Sequence, residues 1–517
     1  MLGSLDQPRV NISDVLAVHG RHKAQRPAVV CAGETRSWGA FDANISRIAN
    51  ALIAGGAQKG DRVAIVMGNS AEMLETVFGV IRAGCCAVPL SGMLTVDQLV
   101  QLIGDSQASA LFASSEFGPR LVPRRSELDT LKQCVAMGFD AEGWTPLAAF
   151  RDDQPATRPQ ITITPEDDFN IIYSSGTTGL PKGIVQTHAA RTHFAFSNAI
   201  EMGYDSAARA LSTTPLYSNG TWLTMLPCLF AGGTLHVMPS FDVGDFLATV
   251  EREQITHTFM VPAQYIMVLG DPRLEEADLT SLRTVLSAGS PLRADTKRGV
   301  LERISKGLFE LYGFSEGFAS LLKPHEHEAK FNSVGTPVLG FEVAIIDEEG
   351  NRCAPNTPGE IAAYGAGMLR EYNRRPDLTA ELVWTDELGR TFIRSGDIGA
   401  LDEDGYLRII DRKKDMIVSG GFNVFPTDIE AVLGENPDVE DVTVIGIPHD
   451  KWGETALALV IPPKGARPDL DAIRDWANDR LAKHQRVHAV ELRDEFPRNA
   501  LGKVIKRTLR DPYWADQ

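Results

Sequence analysis

The stretch that decides the fold is Phe169-Asn170-Ile171-Ile172-Tyr173-Ser174-Ser175-Gly176-Thr177-Thr178-Gly179-Leu180-Pro181-Lys182-Gly183. Its first five residues form a largely apolar run that predicts a buried strand. The hydroxyl and glycine residues that follow predict a loop with little side-chain bulk and many free backbone N–H groups. Such a loop can wrap a polyphosphate, and Lys182 adds a positive charge beside it. It is not a Walker sequence, because Pro181 stands where that pattern needs Gly. Seen alone, a Gly/Thr-rich segment could equally be a flexible surface turn.

Strand and helix patterns alternate on both sides of this stretch. Residues 61–67 are strand-like, residues 71–83 carry apolar side chains at helical spacing, and residues 86–90 are apolar again. The same alternation runs through residues 234–261. Strands that alternate with helices in this way favour parallel sheets covered by helices. The sequence therefore predicts an α/β fold for the large N-terminal part of the chain.

The pattern changes twice in the C-terminal part. After about residue 335, apolar runs at 343–347 and 359–364 are joined by a turn-rich segment, which predicts antiparallel strands of a small β-barrel. After the charged run at 411–415, the predicted elements are a helix at 427–433, strands at 442–447 and 456–460, and an amphipathic helix at 469–483. We therefore predict an N-terminal domain of residues 1–411, a hinge at 412–415 and a mobile small α+β lid of residues 416–517.

Composition excludes several classes of protein. The 517 residues carry a net charge of −17 without a basic stripe, so no nucleic-acid partner is expected. None of the six cysteines forms a C-x-x-C pair, and buried reduced thiols are the expectation. The N-terminus lacks the features of a signal peptide, and no apolar run approaches the roughly 18–20 residues of a membrane span. A cytoplasmic enzyme with no integral membrane segment is the simplest prediction.

Three further motifs accompany the loop: Tyr312-Gly313-Phe314-Ser315-Glu316, Arg394-Ser395-Gly396-Asp397 and Pro497-Arg498-Asn499-Ala500-Leu501-Gly502-Lys503. A carboxylate after a strand suits Mg²⁺, and a second carboxylate can accept hydrogen bonds from both ribose hydroxyls. Alone, each motif could be a capped loop, a turn or a solvated lysine. In this order behind the loop, they resemble the motifs of the acyl-adenylate-forming superfamily, which includes acyl-CoA synthetases, luciferases and peptide-synthetase adenylation domains. The resemblance runs from about residue 15 to residue 510.

The resemblance implies an AMP-binding (adenylation) domain in residues 1–411 and roles for particular residues. The implied catalytic residues are Thr177, Glu316 and Lys503, with Glu316 as the metal ligand for Mg²⁺ and Lys503 bridging the substrate carboxylate and the α-phosphate. Lys414 is the implied hinge pivot. The residues implied to bind ATP and AMP are Ser174, Ser175, Gly176, Thr178, Gly179, Lys182, Gly289, Ser290, Tyr312, Gly313, Ser315, Asp397 and Arg412.

The resemblance also implies where the acid and coenzyme A bind. The implied acyl pocket consists of Tyr217, Ser218, Asn219, Trp222, Val261, Tyr265 and Phe314, and the implied CoA contacts are Gly420, Gly421, Phe422, Trp452 and Arg486. A cavity edged by aromatic and apolar side chains favours an apolar chain or an aromatic ring, although some of these residues could simply fill the core. Ser218 replaces the His of many acyl-CoA synthetases, which leaves the gating of the thiol tunnel open. The acyl segment has no Asp to pair with a substrate ammonium, which argues against an α-amino acid.

These observations predict an acid–CoA ligase that uses ATP, Mg²⁺ and coenzyme A. A fatty or aryl acid is first converted to acyl-AMP with release of pyrophosphate, and CoA then displaces AMP. The alternatives are an adenylating enzyme that passes the acyl group to a carrier protein or other acceptor, and a non-catalytic acyl or nucleotide sensor. A sensor is disfavoured because the implied polar groups are all retained. The partners expected are small molecules; the acid is left open, and so is a homodimer.

Overall fold

The structure is a computed structural model that describes residues 10–174, 181–419, 422–498 and 504–514. Its strands are β1 Pro27–Cys31, β2 Glu34–Ser37, β3 Arg62–Val66, β4 Cys86–Pro89, β5 Ala110–Ser114, β6 Gln133–Met137, β7 Thr145–Pro146, β8 Asp168–Ser174, β9 Lys182–Thr187, β10 Arg209–Ser212, β11 Thr234–Val237, β12 His257–Met260, β13 Thr284–Ser287, β14 Leu308–Gly313, β15 Ala319–Leu322, β16 Thr336–Pro337, β17 Phe341–Ile346, β18 Gly359–Gly365, β19 Glu371–Tyr372, β20 Val383–Thr385, β21 Thr391–Leu401, β22 Leu407–Arg412, β23 Ile417–Ser419, β24 Phe422–Val424, β25 Asp441–His449, β26 Gly453–Ile461 and β27 Val487–Leu492. Its α-helices are α1 Ile12–His22, α2 Trp38–Ala54, α3 Ala71–Arg82, α4 Val96–Ser106, α5 Leu147–Arg151, α6 His188–Glu201, α7 Trp222–Ala231, α8 Val243–Glu253, α9 Pro262–Leu269, α10 Ala294–Arg303, α11 Pro376–Glu381, α12 Pro426–Leu433, α13 Leu470–Asn478 and α14 Lys506–Trp514.

The chain divides into two compact units. The first consists of Met1–His327, Pro337–Glu342 and Tyr364–Val383, and the second of Glu328–Thr336, Val343–Ala363 and Trp384–Gln517. The second unit therefore contains most of the predicted small barrel as well as the C-terminal elements. The predicted domain boundary at residue 411, the hinge at 412–415 and the mobility of the lid stay predictions.

Two large sheets build the first unit. One has nine strands in the order β16-β15-β14-β13-β12-β10-β11-β1-β2, and the other has eight in the order β19-β9-β8-β4-β3-β5-β6-β7. The neighbours from β14 to β1 are parallel, as are those from β8 to β7. Antiparallel pairs extend the nine-stranded sheet at both ends and the eight-stranded sheet at its β9–β19 end. The predicted parallel α/β architecture is therefore confirmed.

Local sequence explains why these elements form where they do. The first predicted β-α-β unit is present as β3, α3 and β4, and β3 and β4 pair in parallel. The hydroxyl of Ser70 accepts a hydrogen bond from the backbone N–H of Met73 and so caps the start of α3. The apolar residues of β3 and β4 are fully buried. Cys85 and Cys86 lie in the same core as free thiols, as predicted, and burial raises the pKa of both.

The second unit contains two smaller sheets. One has the order β17-β18-β21-β20 with β22 paired to β21, which matches the predicted antiparallel barrel-like strands. The other has the order β24-β23-β26-β25 with β27 parallel to β26, and α12 and α13 complete this α+β part. Among the described residues, no helix combines the length and apolar character needed to cross a membrane.

One predicted helix is shorter than its pattern suggests. The periodicity predicts a helix over residues 469–483, but α13 ends at Asn478. The side-chain amide of Asn478 donates to the backbone oxygen of Val487 at 3.0 Å and accepts from its N–H at 2.7 Å. This tie to β27 gives the side chain of Asn478 partners outside the helix, and residues 483–485 form a separate 3₁₀ turn.

Candidate active site

Several predicted site residues lie together at the carboxyl ends of the parallel strands of the nine-stranded sheet. Strands β14, β13, β12 and β10 are consecutive parallel neighbours, so the segments that follow their carboxyl ends lie side by side. These segments contain the nucleotide residues after β14 and β13, and the acyl-pocket residues after β12 and β10. In open α/β sheets, ligands bind in the crevice outside the carboxyl ends of the strands. The topology therefore joins motifs that are up to about a hundred residues apart in the sequence.

The phosphate loop is framed by the antiparallel strands β8 and β9. Ser174 at the end of β8 pairs with Lys182 at the start of β9. The loop residues Ser175, Gly176, Thr177, Thr178 and Gly179 lie outside the described residues. The side-chain amide of Gln186 in β9 donates to the backbone oxygen of Ser315 at 3.3 Å. The strand that leaves the loop is thus bonded directly to the Tyr312–Glu316 motif.

Glu316 is held by a tyrosine that the sequence analysis did not identify. The hydroxyl of Tyr372 donates to Oε1 of Glu316 at 2.5 Å. Nζ of Lys182 lies 4.9 Å from the centre of the Tyr372 ring, a cation–π distance. Burial and the neighbouring Glu316 carboxylate raise the pKa of Tyr372, so its hydroxyl remains a donor. Three side chains from three separate strands or loops therefore form one cluster beside the phosphate loop.

The position of Tyr372 depends on the short strand β19. Its two residues pair antiparallel with Ile184 and Val185 of β9. The guanidinium of Arg370 donates to the Asp168 carboxylate at 2.8 Å, and the N–H of Asn373 donates to the Gly183 oxygen at 2.7 Å. Nothing in the local sequence around residue 372 signals a functional tyrosine. These long-range contacts bring the ring to Glu316.

The donor set around Glu316 fits Mg²⁺ bound together with substrate phosphates. Mg²⁺ prefers oxygen ligands and is commonly held by one or two carboxylates plus phosphate oxygens and water. Glu316 is half-buried and offers such a carboxylate beside the phosphate loop. Within the described ranges, no cluster of three His, Cys, Asp or Glu side chains could bind a metal without a substrate. An ion held by Glu316 would neutralise charge on the phosphates.

The remaining nucleotide residues of the first unit lie on the segments after β13 and β14. Gly289 has a φ of +93°, a conformation that L side chains rarely adopt. Oγ of Ser290 is buried without a hydrogen-bond partner among the described residues, as expected of a group that meets a ligand. Tyr312 and Ser315 are half-buried and Gly313 is exposed. These positions are compatible with the predicted nucleotide contacts, which stay predictions.

The predicted acyl-pocket residues separate into accessible and buried groups. Tyr217, Ser218 and Asn219 are half-buried, as is Phe314, whose ring stacks on Phe318 with 5.6 Å between centroids. The remaining members, Trp222, Val261 and Tyr265, are buried. Both Trp222 and Tyr265 also bond to backbone oxygens, of Leu216 at 2.9 Å and Leu286 at 3.0 Å respectively. Trp222 and Tyr265 therefore support the wall of the predicted acyl pocket from behind. Their assignment to the pocket stays a prediction.

In the second unit, the predicted ribose residues face each other across two strands. Asp397 lies within β21, which continues through it to Leu401. Asp397 pairs in register with Arg412 of β22, and Nε of Arg412 lies 3.2 Å from Oδ1 of Asp397. Gly396, with a φ of +71°, lies where the pairing of β21 with β18 shifts register, between Arg394 and Ile398. A buried carboxylate beside a half-exposed guanidinium can bind neighbouring hydroxyl groups.

The hinge and CoA residues also belong to the second unit. Burial lowers the pKa of Lys414, and Arg510 donates to its backbone oxygen at 3.1 Å. Phe422 is exposed and stacks on His484, two residues before the exposed Arg486. Trp452 is also exposed and precedes Gly453, which pairs with Ser419 at the end of β23. Gly420, Gly421 and Lys503 lie outside the described residues.

Comparison with known proteins decides the family. The model of the AMP-binding enzyme family matches residues 16–373, and that of the AMP-binding enzyme C-terminal domain matches residues 428–503. The chain belongs to the AMP-binding enzyme family, and so to the acyl-adenylate-forming superfamily. The predictions of this family, of the fold and of an adenylate-forming ligase are confirmed.

Individual relatives cover almost the whole chain. It is 34% identical to a feruloyl-CoA synthase from Amycolatopsis sp over 487 residues, which is 93% of this chain and 95% of the relative. It is 32% identical to the fatty acid–[acyl-carrier-protein] ligase ScoC from Streptomyces coeruleorubidus, with 96% of this chain and 95% of the relative covered. The crystal structure of ATP-bound MatB from Rhodopseudomonas palustris has a TM-score of 0.89 at 27% identity and covers 98% of this chain and 99% of its own.

Proposed function

We propose that the protein ligates a fatty or aryl carboxylic acid to coenzyme A through an acyl-AMP intermediate. The observation that carries the proposal is the cluster of Lys182, Glu316 and Tyr372 beside the strands that frame the phosphate loop. This cluster combines a cation with an oriented carboxylate, the two groups needed to bind Mg²⁺ and a triphosphate. The family and its CoA ligase members support acid–CoA ligation in general.

The residues divide the work of the first half-reaction. Lys182 and the loop would bind the phosphates, Glu316 would hold Mg²⁺, and Asp397 with Arg412 would bind the ribose. Lys503 would stabilise negative charge as the substrate carboxylate attacks the α-phosphate and pyrophosphate leaves. Preorganised charges of this kind act on charge that develops in the transition state. In the second half-reaction the CoA thiol attacks the acyl carbonyl and AMP leaves.

A carrier protein is the second candidate for the acceptor. Two observations favour keeping it: Ser218 stands in place of the usual His, and the relative ScoC is a ligase for an acyl carrier protein. Exposed Arg486 favours CoA, because it offers a cation for the phosphates of the nucleotide part of CoA, whereas the exposed rings of Phe422 and Trp452 suit the pantetheine arm of either acceptor. Both acceptors carry a phosphopantetheine thiol, which enters only in the second half-reaction. The first half-reaction is therefore common to both candidates.

The first experiment identifies the acid and the acceptor together. Purified protein is incubated with Mg·ATP and a panel of fatty, aryl and dicarboxylic acids, with either CoA or a phosphopantetheinylated carrier protein. Mass spectrometry is expected to show acyl-CoA from fatty or aryl acids. Acyl-carrier without acyl-CoA would establish the second candidate, and the absence of acyl-AMP and of any acyl thioester from every acid would refute the proposal.

Lys503→Ala separates the two half-reactions. Removing a charge that stabilises only the adenylation transition state is expected to lower acyl-AMP formation by a factor on the order of 10²–10³. Transfer from chemically supplied acyl-AMP to CoA should be retained within a few-fold. An equal fall in both half-reactions would show that Lys503 does not act in adenylation alone. Lys464→Ala, at a site without an assigned role, serves as the control for loss of a lysine.

A further inference from the structure

Arg191 in α6 is a buried cation without an acidic partner. Its residue exposure is 1%, and across the described residues no carboxylate forms an ion pair with it. Its contacts are instead the Trp222 and Phe194 rings, at 4.6 and 5.3 Å from the guanidinium carbon, and two side-chain amides. A buried charge without a counter-ion is costly and needs a reason. The two amides are the groups that this guanidinium orients.

Each amide must turn its oxygen towards Arg191. Nε of Arg191 donates to Oδ1 of Asn170 at 2.7 Å, and Nη2 donates to Oδ1 of Asn219 at 2.9 Å. A guanidinium has five donors and no acceptor, so the opposite orientation of either amide would place N–H against N–H. Asn170 lies in β8, which leads into the phosphate loop, and Asn219 lies in the acyl segment. Arg191 therefore fixes both amides with a single side chain.

The fixed amide of Asn219 leaves a donor available in the acyl segment. Within the described part of the chain, Nδ2 of Asn219 has no hydrogen-bond partner, and the residue is only half-buried. The neighbouring Tyr217 hydroxyl is buried and likewise unpartnered in the residues that the structure describes. Buried polar groups in folded proteins are normally paired, so the unpaired Tyr217 hydroxyl in a predicted pocket indicates a ligand, and the Asn219 amide near it offers an accessible donor. The acyl segment thus presents two polar groups, two residues apart, that could meet the acid.

From this geometry we infer that Asn219 is a specificity-determining residue that donates a hydrogen bond to an oxygen on the body of the acid, with Arg191 as its positioning residue. The inference rests on the proposed function and narrows its substrate class. The preferred acids carry a hydroxyl, methoxyl or carbonyl oxygen away from the reacting carboxylate. An unsubstituted alkyl or aryl acid leaves Nδ2 of Asn219 without an acceptor and is disfavoured.

Matched acids test the inference. Specificity constants for acyl-AMP formation are measured for pairs that differ by one oxygen substituent, such as cinnamic and 4-hydroxycinnamic acid, in several aryl and alkyl series. In at least one series the wild type is expected to prefer the oxygen-bearing acid by about threefold to tenfold, the value of one neutral hydrogen bond. Asn219→Leu should remove this preference, because leucine offers no donor.

Variants of Arg191 distinguish orientation from simple packing. Arg191→Lys keeps a group that can only donate and should retain the preference, whereas Arg191→Met lets the amide turn and should weaken it. The KM for ATP should stay within a few-fold for Asn219→Leu, because the change concerns the acid. Thr192→Val is the matched control in α6: the Thr192 hydroxyl has no partner in the described residues, and the preference should be unchanged.

The outcomes separate the inference from the proposed function. If ligation occurs but the wild type never prefers the oxygen-bearing acid, or the preference survives in Asn219→Leu, the inference is wrong and the ligase assignment stands. If no acid of any class yields acyl-AMP, the proposed function is overturned and the inference falls with it. If Asn219→Leu loses the preference for the oxygen-bearing acid and Arg191→Lys retains it, both the inference and the proposed function are supported.

Discussion

The hydroxyl of Tyr372 makes a hydrogen bond whose value can be measured. Its donation to Glu316 holds Oε1 of the carboxylate. Removing a hydrogen bond to a charged group typically costs about 1.5–3 kcal/mol, or about tenfold to a hundredfold. In Tyr372→Phe we expect the Mg²⁺ concentration for half-maximal adenylation to rise about tenfold. The dissociation constant of ATP, measured calorimetrically in Mg²⁺ without acid, should rise in parallel.

A second tyrosine provides the control for this prediction. Tyr513 donates to the Glu491 carboxylate at 2.6 Å in the second unit, so Tyr513→Phe removes the same kind of bond elsewhere. Its Mg²⁺ dependence is expected to match the wild type. An equal loss of ATP affinity in Tyr372→Phe with and without Mg²⁺ would mean that Tyr372 supports the fold of the site rather than the orientation of Glu316.

At the scale of elements, the turn after Glu316 depends on a glycine. Gly317 has a φ of +128°, and a Cβ placed there would lie 2.1 Å from the backbone oxygen of Gly367. Since the obstruction is backbone, Gly317→Ala must shift the segment that carries Glu316. We expect adenylation to fall by more than tenfold and the free energy of unfolding by about 2–5 kcal/mol, the sum of left-handed strain and overpacking.

Gly203→Ala distinguishes strain from obstruction. Gly203 also has a positive φ, +70°, but nothing lies within 4 Å of a Cβ placed there. Gly203→Ala should lower the free energy of unfolding by only about 1–2 kcal/mol and leave adenylation intact. Stability is followed by urea unfolding and activity by pyrophosphate release. Similar losses of activity in the two variants would contradict a specific role for the Gly317 turn.

The elements also show what the sequence could and could not predict. Periodicity located β3, α3 and β4 to within one or two residues, because local apolar spacing encodes burial. The two-residue strand β19 has no such pattern, since its position depends on pairing with β9 almost two hundred residues earlier. Tyr372 was missed for that reason. Arg191 was missed because a charged residue on a helix is usually solvated, and only the tertiary fold shows it against Trp222.

At the scale of the whole molecule, buried histidines should make stability depend on pH. His188, His236 and His257 of the first unit are buried, and burial is the main cause that lowers the pKa of each to about 4. Both ring nitrogens of His188 lack a hydrogen-bond partner among the described residues. Protonation would therefore place a charge in this core. In the unfolded chain, by contrast, the same groups titrate near 6.5.

The direction in which stability changes with pH follows from the number of protons that the folded and unfolded states bind. Between about pH 6.5 and 4 the unfolded state binds more protons than the folded state, so stability falls as the pH falls through this range. Each histidine contributes on the order of 1–2 kcal/mol between pH 7 and 5. Burial raises the pKa of Glu75 and Glu310, and these two carboxyl groups therefore make stability rise as the pH falls. Comparison of variants at two pH values is therefore needed to isolate the histidine contribution.

His188→Leu supplies that comparison, because leucine fills an apolar site without a titratable group. The free energy of unfolding in urea is measured at pH 7 and pH 5 for the wild type, His188→Leu and the exposed control His325→Gln. We expect the decrease between pH 7 and 5 to be smaller by about 1–2 kcal/mol in His188→Leu than in the other two proteins. An unchanged decrease would mean that His188 is protonated in the folded protein, and that its nitrogens reach water or a partner when it is charged. A smaller decrease would establish that acid sensitivity originates in the first unit, in the same helix whose Arg191 orients the acyl segment.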